Sequence, residues 1–328
     1  MFYAETDSTD PYYNLAFEEF ILCNKRDSEW LLLWQNENTV VVGLNQNTLE
    51  EIDPHFVKER GVRVVRRTTG GGAVFHDLGN LNYSFVADAG KTDELSMSRF
   101  TGSVCAALAV LGVEAVATGR NDIAICGKKV SGTAQRIHQG RILHHGTLLF
   151  KSDMSMLCGA LRADSGKFSS KSTKSIQSRV GNISDYLSKD VSIDGFKHDL
   201  RQALTDGDFS YAILSPGELE EVNRLADSKY RTWEWNYGAS PPYTLKKRAR
   251  YEGGSLEVFA DIRNGLIETI WFYGDFMARA PLVELTDAFS GRRYERDDAA
   301  SVLAEFPIRD MFGDISKEEI LKLMFEDK

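Results

Sequence analysis

The segment Arg66-Arg67-Thr68-Thr69-Gly70-Gly71-Gly72-Ala73-Val74-Phe75-His76-Asp77 joins two fixed cations to three consecutive glycines, a combination that suits an anion such as a phosphate. Triple glycine costs backbone entropy in any regular element, so it marks a place where the main chain takes unusual dihedrals or approaches something closely. The preceding Val62-Arg63-Val64-Val65-Arg66 alternates like a strand, which places the glycines at a strand-to-strand turn. No helix opens behind them. The segment therefore matches neither G-x-G-x-x-G nor G-x-x-x-x-G-K-[ST], and dinucleotide and P-loop chemistry fail on spacing and context. Glycines alone fit a tight hairpin equally well; Arg66, Arg67 and His76 favour the anion site.

A second constellation runs Asn121-Asp122-Ile123-Ala124-Ile125-Cys126-Gly127-Lys128-Lys129-Val130-Ser131-Gly132-Thr133-Ala134-Gln135. Period two puts Lys129, Ser131 and Thr133 on one strand face and Val130 on the other, so a lysine and two hydroxyls point together. A solvated hairpin face is the commoner fate of a lysine. Asp122 suits Mg²⁺ held jointly with phosphate oxygens, or else a turn or cap after Asn121. His144-His145-Gly146-Thr147 is a poor zinc pair, because adjacent strand residues face opposite ways; one histidine then lies near the site and the other is packed or solvated. There is no G-x-S-x-G and no cysteine with a catalytic signature, which weakens hydrolase and thioester readings.

The elements that must position these residues alternate between helical and strand patterns. A helix starts at Asp10-Pro11 and carries Leu15, Phe17, Phe20, Ile21 and Leu22. Strands are expected at Leu31 to Trp34, Thr39 to Gly43, Val62 to Arg66, Ala73 to Phe75 and Leu81 to Val86, then a helix at Leu95 to Leu111. Further strands follow at Ile123 to Ile125, Lys129 to Ile137 and Leu143 to Phe150. Helices between strand groups indicate an α+β fold with a mainly antiparallel sheet. Asp164 to Gly181 is rich in Ser, Lys, Gly and Thr and reads as a loop, either a plain linker or one whose Lys167, Lys171, Lys174 and Arg179 fold over an anion. Gly238-Ala239-Ser240-Pro241-Pro242 suggests a domain boundary. Beyond it, Leu256 to Ile262 and Leu266 to Phe272 flank Arg263-Asn264-Gly265 as a hairpin, and Ser316 caps a helix closing at Phe325.

A chain of 328 residues with 42% hydrophobic content supports a large core plus a second unit. The net charge of -9, from 39 basic against 48 acidic side chains, argues against a general nucleic-acid binder. Four cysteines without C-x-x-C spacing, no signal-peptide pattern and no membrane-length apolar run lead us to expect a reduced, cytoplasmic protein without a membrane partner.

Arg66-Arg67-x-x-Gly70-Gly71-Gly72-Ala73-Val74-Phe75-His76-Asp77-x-Gly79-Asn80, Gly119-Arg120-Asn121-Asp122, Lys129-Val130-Ser131-Gly132-x-Ala134, His144-His145-Gly146-Thr147-Leu148-Leu149 and Trp233-Glu234-Trp235-Asn236-Tyr237-Gly238 together resemble lipoate-protein ligase A. The opening Asp10-Pro11-Tyr12-Tyr13-Asn14-Leu15-Ala16-x-Glu18-Glu19 resembles that family's first helix. The resemblance implies a biotin/lipoate protein ligase-like catalytic domain over residues 1–242, with a mixed, mainly antiparallel sheet and flanking helices. A small α+β accessory domain over 243–328 would follow. It implies that lipoate and ATP give lipoyl-adenylate, and that the acyl group passes to a lysine on a lipoyl-domain acceptor, a dehydrogenase E2 subunit or the glycine-cleavage H protein.

By the same resemblance, Lys129 would contact the lipoyl carbonyl oxygen and the phosphate. Arg67, Gly71, Gly72, Ala73, Val74, Phe75, His76, Asn121, Asp122, Ser131, Gly132, His145 and Thr147 would hold the nucleotide and adenylate. Mg²⁺ is expected on Asp122, Val74 and Phe75 as tunnel walls, and Lys167, Lys171 and Lys174 as a cover over the adenylate. A transferase of the same fold, which needs a nucleophilic cysteine such as Cys126 or Cys158, and a non-catalytic lipoyl-domain binder are the alternatives.

Overall fold

Pro11 takes the first helical position and the Asp10 carboxylate accepts from the Tyr12 N–H at 3.1 Å, which starts the helix Pro11–Asn24 where the sequence indicates. The computed structural model describes residues 1–90, 97–119, 121–161, 179–237, 245–263 and 265–325, without the side chains of residues 49 and 50. Its strands are β1 (Phe2–Glu5), β2 (Trp30–Trp34), β3 (Thr39–Val42), β4 (Arg63–Arg66), β5 (Val74–His76), β6 (Asn80–Asp88), β7 (Val116–Thr118), β8 (Asp122–Ile125), β9 (Lys128–His138), β10 (Arg141–Leu149), β11 (Ser210–Tyr211), β12 (Leu245–Tyr251), β13 (Gly254–Arg263) and β14 (Leu266–Gly274).

Eight of these form one mixed sheet in the order β11-β1-β2-β6-β10-β9-β8-β7. Only β1 with β11 and β1 with β2 run parallel, so the sheet is mainly antiparallel as expected. Its centre is covered on both sides, which explains the unbroken apolar run Trp30-Leu31-Leu32-Leu33-Trp34. Leu31 and Leu33 pack with Phe100, Val104 and Leu108 of the helix Met97–Val110 and with Phe196 and Leu200 of the helix Ile193–Thr205. Leu32 and Trp34 pack on the opposite side with Leu15, Phe20 and Ile21 of the first helix.

The glycine segment is not the hairpin turn that the strand pattern suggested. β4 and β5 do not pair with each other; both flank β3 in a small sheet ordered β4-β3-β5, parallel on one side and antiparallel on the other. All four residues of β3 are buried, and its backbone needs a partner on each edge. Residues 67–73 must therefore arch over the end of β3, which a tight turn cannot do.

A separate hydrophobic cluster is drawn entirely from residues 249–324 and joins the β12-β13-β14 sheet to the C-terminal helices. β13 and β14 pair antiparallel up to Arg263↔Leu266, in line with the hairpin expected from the sequence. The closing helix Lys317–Phe325 begins at a reciprocal cap: the Ser316 N–H donates to Glu319 Oε2 at 2.8 Å, and the Glu319 N–H to Ser316 Oγ at 3.3 Å. This unit touches the glycine segment, since the Gly274 N–H donates to the Asn45 carbonyl at 2.6 Å and a Cβ on Gly70 would fall 2.7 Å from the Phe276 carbonyl oxygen. Lys167, Lys171, Lys174, Arg120, Asn264 and the Gly238 to Pro242 break lie outside the described residues.

Gly146 on β10 faces the Tyr83 ring of β6 so closely that a Cβ would meet its Oη at 2.5 Å. Gly146→Ala should destabilise the protein by roughly 1–3 kcal/mol, as overpacked cores do, read as a lowered urea midpoint with unchanged slope. A wild-type midpoint would contradict this packing of β6 against β10.

Candidate active site

A cleft of about 550 Å³ lies between the eight-stranded sheet and the small β4-β3-β5 sheet with its glycine segment. On the large sheet, Trp34, Asn82 and Thr147 are direct cross-strand neighbours on β2, β6 and β10. The row continues onto β9, where the Gly132 N–H donates to Thr147 Oγ1 at 3.1 Å. Leu15, Val41, Ala73 and Val74 supply apolar wall from the other side.

Lys129 reaches the cleft because β9 is irregular. Asp122 opposes Gly132 and Ile123 opposes Ser131, but Ala124 then opposes Lys129, leaving Val130 without a partner. This bulge reverses the alternation. Lys129 and Gly132, three residues apart, both border the cleft, whereas Ser131 is fully buried beside Tyr83. The expectation that Ser131 shares a face with Lys129 is thereby corrected, while Thr133 borders the cleft as Lys129 does. The Lys129 ammonium lies 2.7 Å from Asp122 Oδ1 with 39% of its side chain exposed, and a Cβ on Gly132 would sit 3.1 Å from Nζ. Its backbone is clamped by residues beyond the 162–178 stretch: the Lys129 N–H donates to the Arg179 carbonyl at 2.7 Å, and the Gly181 N–H to the Lys129 carbonyl at 3.0 Å.

The two arginines are braces. Arg66 donates from Nη1 to the carbonyls of Gly43, Leu44 and Gln46, from Nη2 to Thr48 Oγ1 and from Nε to the Trp235 carbonyl. Arg67 lines the cleft and donates from Nε to Thr69 Oγ1, from Nη1 to the Val41 carbonyl and from Nη2 to the carbonyls of Gly70 and Gly72, at 2.6 to 3.2 Å. Burial lowers both guanidinium pKa values to about 10, so both stay charged at neutral pH. Gly71 sits at φ +90°, where a side chain is strained and its Cβ would press on Arg67 Nη2 at 3.0 Å.

Among the residues expected from the sequence, the cleft gathers Lys129, Arg67, Gly72, Ala73, Val74, His76, Asn121, Gly132, His145 and Thr147. Phe75 points away into the cluster of Val40 and Val42, because Val74 and His76 take the cleft side of β5 and the residue between them cannot. Gly71 and Asp122 stand behind the wall, one shaping the arch and the other pairing with Lys129. The adjacent histidines divide as the pleat requires. His144 is stacked on Phe100 at 4.9 Å, whereas His145 borders the cleft with Nδ1 2.9 Å from Glu18 Oε1 and Nε2 2.8 Å from Thr69 Oγ1.

Sequence reasoning missed Glu18, Trp34, Val41 and Asn82 as site residues. A usable signal was Asn14 and Glu18, one helical turn apart and both buried on an otherwise apolar helix face. Trp34 Nε1 donates to Ser84 Oγ at 2.9 Å and Ser84 Oγ to Glu18 Oε1 at 2.5 Å, so the deep end of the cleft is an apolar wall backed by a polar network.

The family model for the lipoyl protein ligase A/B catalytic domain matches residues 10–205. The chain belongs to the lipoate-protein ligase family. A second model, the bacterial lipoate protein ligase C-terminus, matches residues 240–324. Lipoate-protein ligase LplJ of Bacillus subtilis is 39% identical over 99% of this chain and 100% of its own length. The structure of P. falciparum LipL1 in complex with lipoate shares the fold, with a TM-score of 0.79, 24% identity and coverage of 98% and 97% of the two chains. An archaeal bi-partite ligase described with its E2 lipoyl domain, from Thermoplasma acidophilum, is 33% identical with a TM-score of 0.67, covering 74% of this chain and 98% of that one. A lipoate-protein ligase A bound with ATP is 30% identical with a TM-score of 0.61, over 71% of this chain and 96% of that one.

Two buried histidines of this ligase are held neutral. Burial lowers His76 and His144 to about 3, and at His76 the Arg67 guanidinium adds to it. An unfolded histidine titrates near 6.5, so between about 6.5 and 3 the unfolded chain binds more protons and stability falls as pH falls. Between pH 6 and 5 the wild type should lose up to about 1.4 kcal/mol more than His144→Gln in denaturant titrations, the full weight of one group. Parallel stability curves would show that His144 is not held neutral.

Proposed function

We propose that this chain is an ATP-dependent lipoate-protein ligase. The lipoate carboxylate attacks the α-phosphorus of ATP, an acyl-oxygen-phosphorus bond forms, and pyrophosphate leaves as the bond to the β-phosphate breaks. The amine of an acceptor lysine then attacks the acyl carbon, an amide forms, and AMP leaves while the amine proton passes to solvent. The observation that carries this reading is Lys129 turned by its bulge into one cleft with the glycine segment. Its ammonium is a compact charge able to follow an oxygen from carboxylate to mixed anhydride to tetrahedral intermediate. The ATP-bound ligase and the lipoate-protein ligase of Bacillus subtilis support the two substrates.

Asp122 beside Asn121 offers one hard oxygen ligand, which suits Mg²⁺ arriving with the phosphates of ATP; the ion neutralises phosphate charge when bound. The two family models favour a catalytic domain over residues 1–242 and an accessory domain over 243–328. Acceptors would be lipoyl domains of dehydrogenase E2 subunits and the glycine-cleavage H protein, a choice supported for E2 by the archaeal ligase described with its E2 lipoyl domain. Free cysteines fit a reducing cytoplasm. The cysteine-dependent transferase is disfavoured: no cysteine borders the cleft among the described residues, Cys126 sits on the exposed β8–β9 turn, and burial pushes the Cys158 thiol up.

Lys129→Ala should lower lipoyl-AMP formation and acyl transfer by about 100-fold or more, the range for removing a group aimed at developing charge. Cys126→Ser and Cys158→Ser should keep activity. Mass spectrometry of an acceptor domain with ATP, Mg²⁺ and lipoate reads both; a mass gain without ATP, or lipoyl-AMP synthesis by the Lys129 variant, would refute the assignment.

A further inference from the structure

At the deep end of the cleft stands a hydrogen-bond donor that no described residue accepts from, and the identity of that donor is fixed by a chain of side chains starting at main-chain carbonyls. Asn14 Nδ2 donates to the carbonyls of Ser8 at 2.9 Å and Gln35 at 2.8 Å. A carbonyl only accepts, so the amide of Asn14 cannot be turned over. The same Nδ2 lies 3.0 Å from Asn36 Oδ1, which leaves Asn36 Nδ2 as the atom 3.1 Å from His76 Nδ1. Asn82 Nδ2 approaches the same ring nitrogen at 3.4 Å. Asn36, oriented by Asn14, donates to Nδ1 at the shorter distance, so Nδ1 accepts and the ring proton sits on Nε2. His76 is 3% exposed, borders the cleft, and its Nε2 has no hydrogen-bond partner. A buried donor without an acceptor is costly and calls for an explanation.

Its place in the cleft indicates what it meets. The row Gly132, Thr147, Asn82, Trp34 crosses four adjacent strands and so spans about 14 Å at the usual strand spacing. Lys129 stands at the Gly132 end, and the His76 ring stands at the other, 6.1 Å from the Trp34 ring centroid. Charge draws the substrate carboxylate to Lys129, which puts the far end of the acyl chain against Trp34 and His76. A plain alkyl tail offers no acceptor there. A ring sulfur offers a weak one.

We infer that His76 selects the acyl tail, its Nε2–H donating to a sulfur of the lipoyl ring, so that the cleft favours a sulfur-bearing ring over a carbon ring of the same shape. This rests on the ligase reading and deepens it. Because burial keeps the imidazole from protonating, the donor is neutral and matches a neutral acceptor. Leu15 and Val41 supply the apolar remainder of the wall.

The test compares lipoate with 5-cyclopentylpentanoate, in which methylenes replace both sulfurs, by pyrophosphate release from the full-length protein. The wild type should show a KM for lipoate lower by about threefold to tenfold, the range of one neutral hydrogen bond, and His76→Phe should narrow that ratio at least threefold. Ring-¹⁵N histidine spectra of the wild type provide a reading that needs neither turnover nor a folded variant. Lipoate should shift the protonated Nε2 of His76, and the carbocycle should leave it in place. Equal KM values, an unchanged ratio in the variant, or a ring protonated at Nδ1 would overturn the inference. Absence of pyrophosphate release with either acid would sink the ligase reading instead, and the spectra would still decide whether His76 meets a sulfur.

Discussion

A guanidinium taken out of water must have its N–H groups accepted, and around Arg67 the acceptors are the Thr69 hydroxyl and the carbonyls of Val41, Gly70 and Gly72. That requirement shapes the active site. Carbonyls two residues apart can turn toward one cation only if the chain between them bends sharply, and Gly71 at φ +90° provides the bend. The arch then passes close enough to the C-terminal unit that Gly70 has no room for a side chain beside Phe276. Arg66 meets the same requirement on the other side of the chain, tying β4 to the Trp235 and Asn236 backbone.

The consequence for catalysis is a division of labour among cations. The arginines hold the wall in shape with donors already committed to the backbone, which preorganises it before any ligand arrives. Lys129 differs in kind. Its pair with Asp122 is more than one-third exposed on both sides, and such pairs are worth only about 0–1 kcal/mol after solvent screening. A substrate carboxylate can take over the ammonium at little cost. The bulge at Val130 matters for the same reason, because without it the lysine would stand on the wrong side of β9.

The glycine segment and Lys129 were legible in the sequence because their residue types are unusual where they stand. Their geometry was less so. The arch over β3 depends on which strands pair, a long-range choice that local alternation does not encode, and the face of Lys129 depends on one unpaired residue that no composition signal marks. Phe75 was misplaced by reading the glycine motif as a block, although strict alternation along β5 already separated it from Val74 and His76. Trp34 and Val41 lie in apolar runs buried on both faces, where period two carries no information about which side chains line a cavity. The fold class was easier, since helices interrupting groups of short strands leave few alternatives to an α+β sheet.

The deep end of the cleft is walled by two histidines that the surrounding network treats in opposite ways. His145 has both ring nitrogens engaged, one with Glu18 and one with Thr69, so the protein alone satisfies it. His76 has only Nδ1 engaged. Satisfying both rings would have required one more acceptor in the wall, and none of the described residues supplies it, although Asn36, backed by Asn14, and Asn82 stand at the other ring nitrogen. Those asparagines do more than fill space. Asn14 orients Asn36, whose N–H toward Nδ1 excludes the tautomer that would turn Nε2 into an acceptor, so a residue at the start of the first helix sets the hydrogen-bonding character of the cleft's far end. A buried donor left without a protein acceptor at a ring that borders the cleft is costly, and the His76 Nε2–H gains its reason if the missing partner arrives with the substrate.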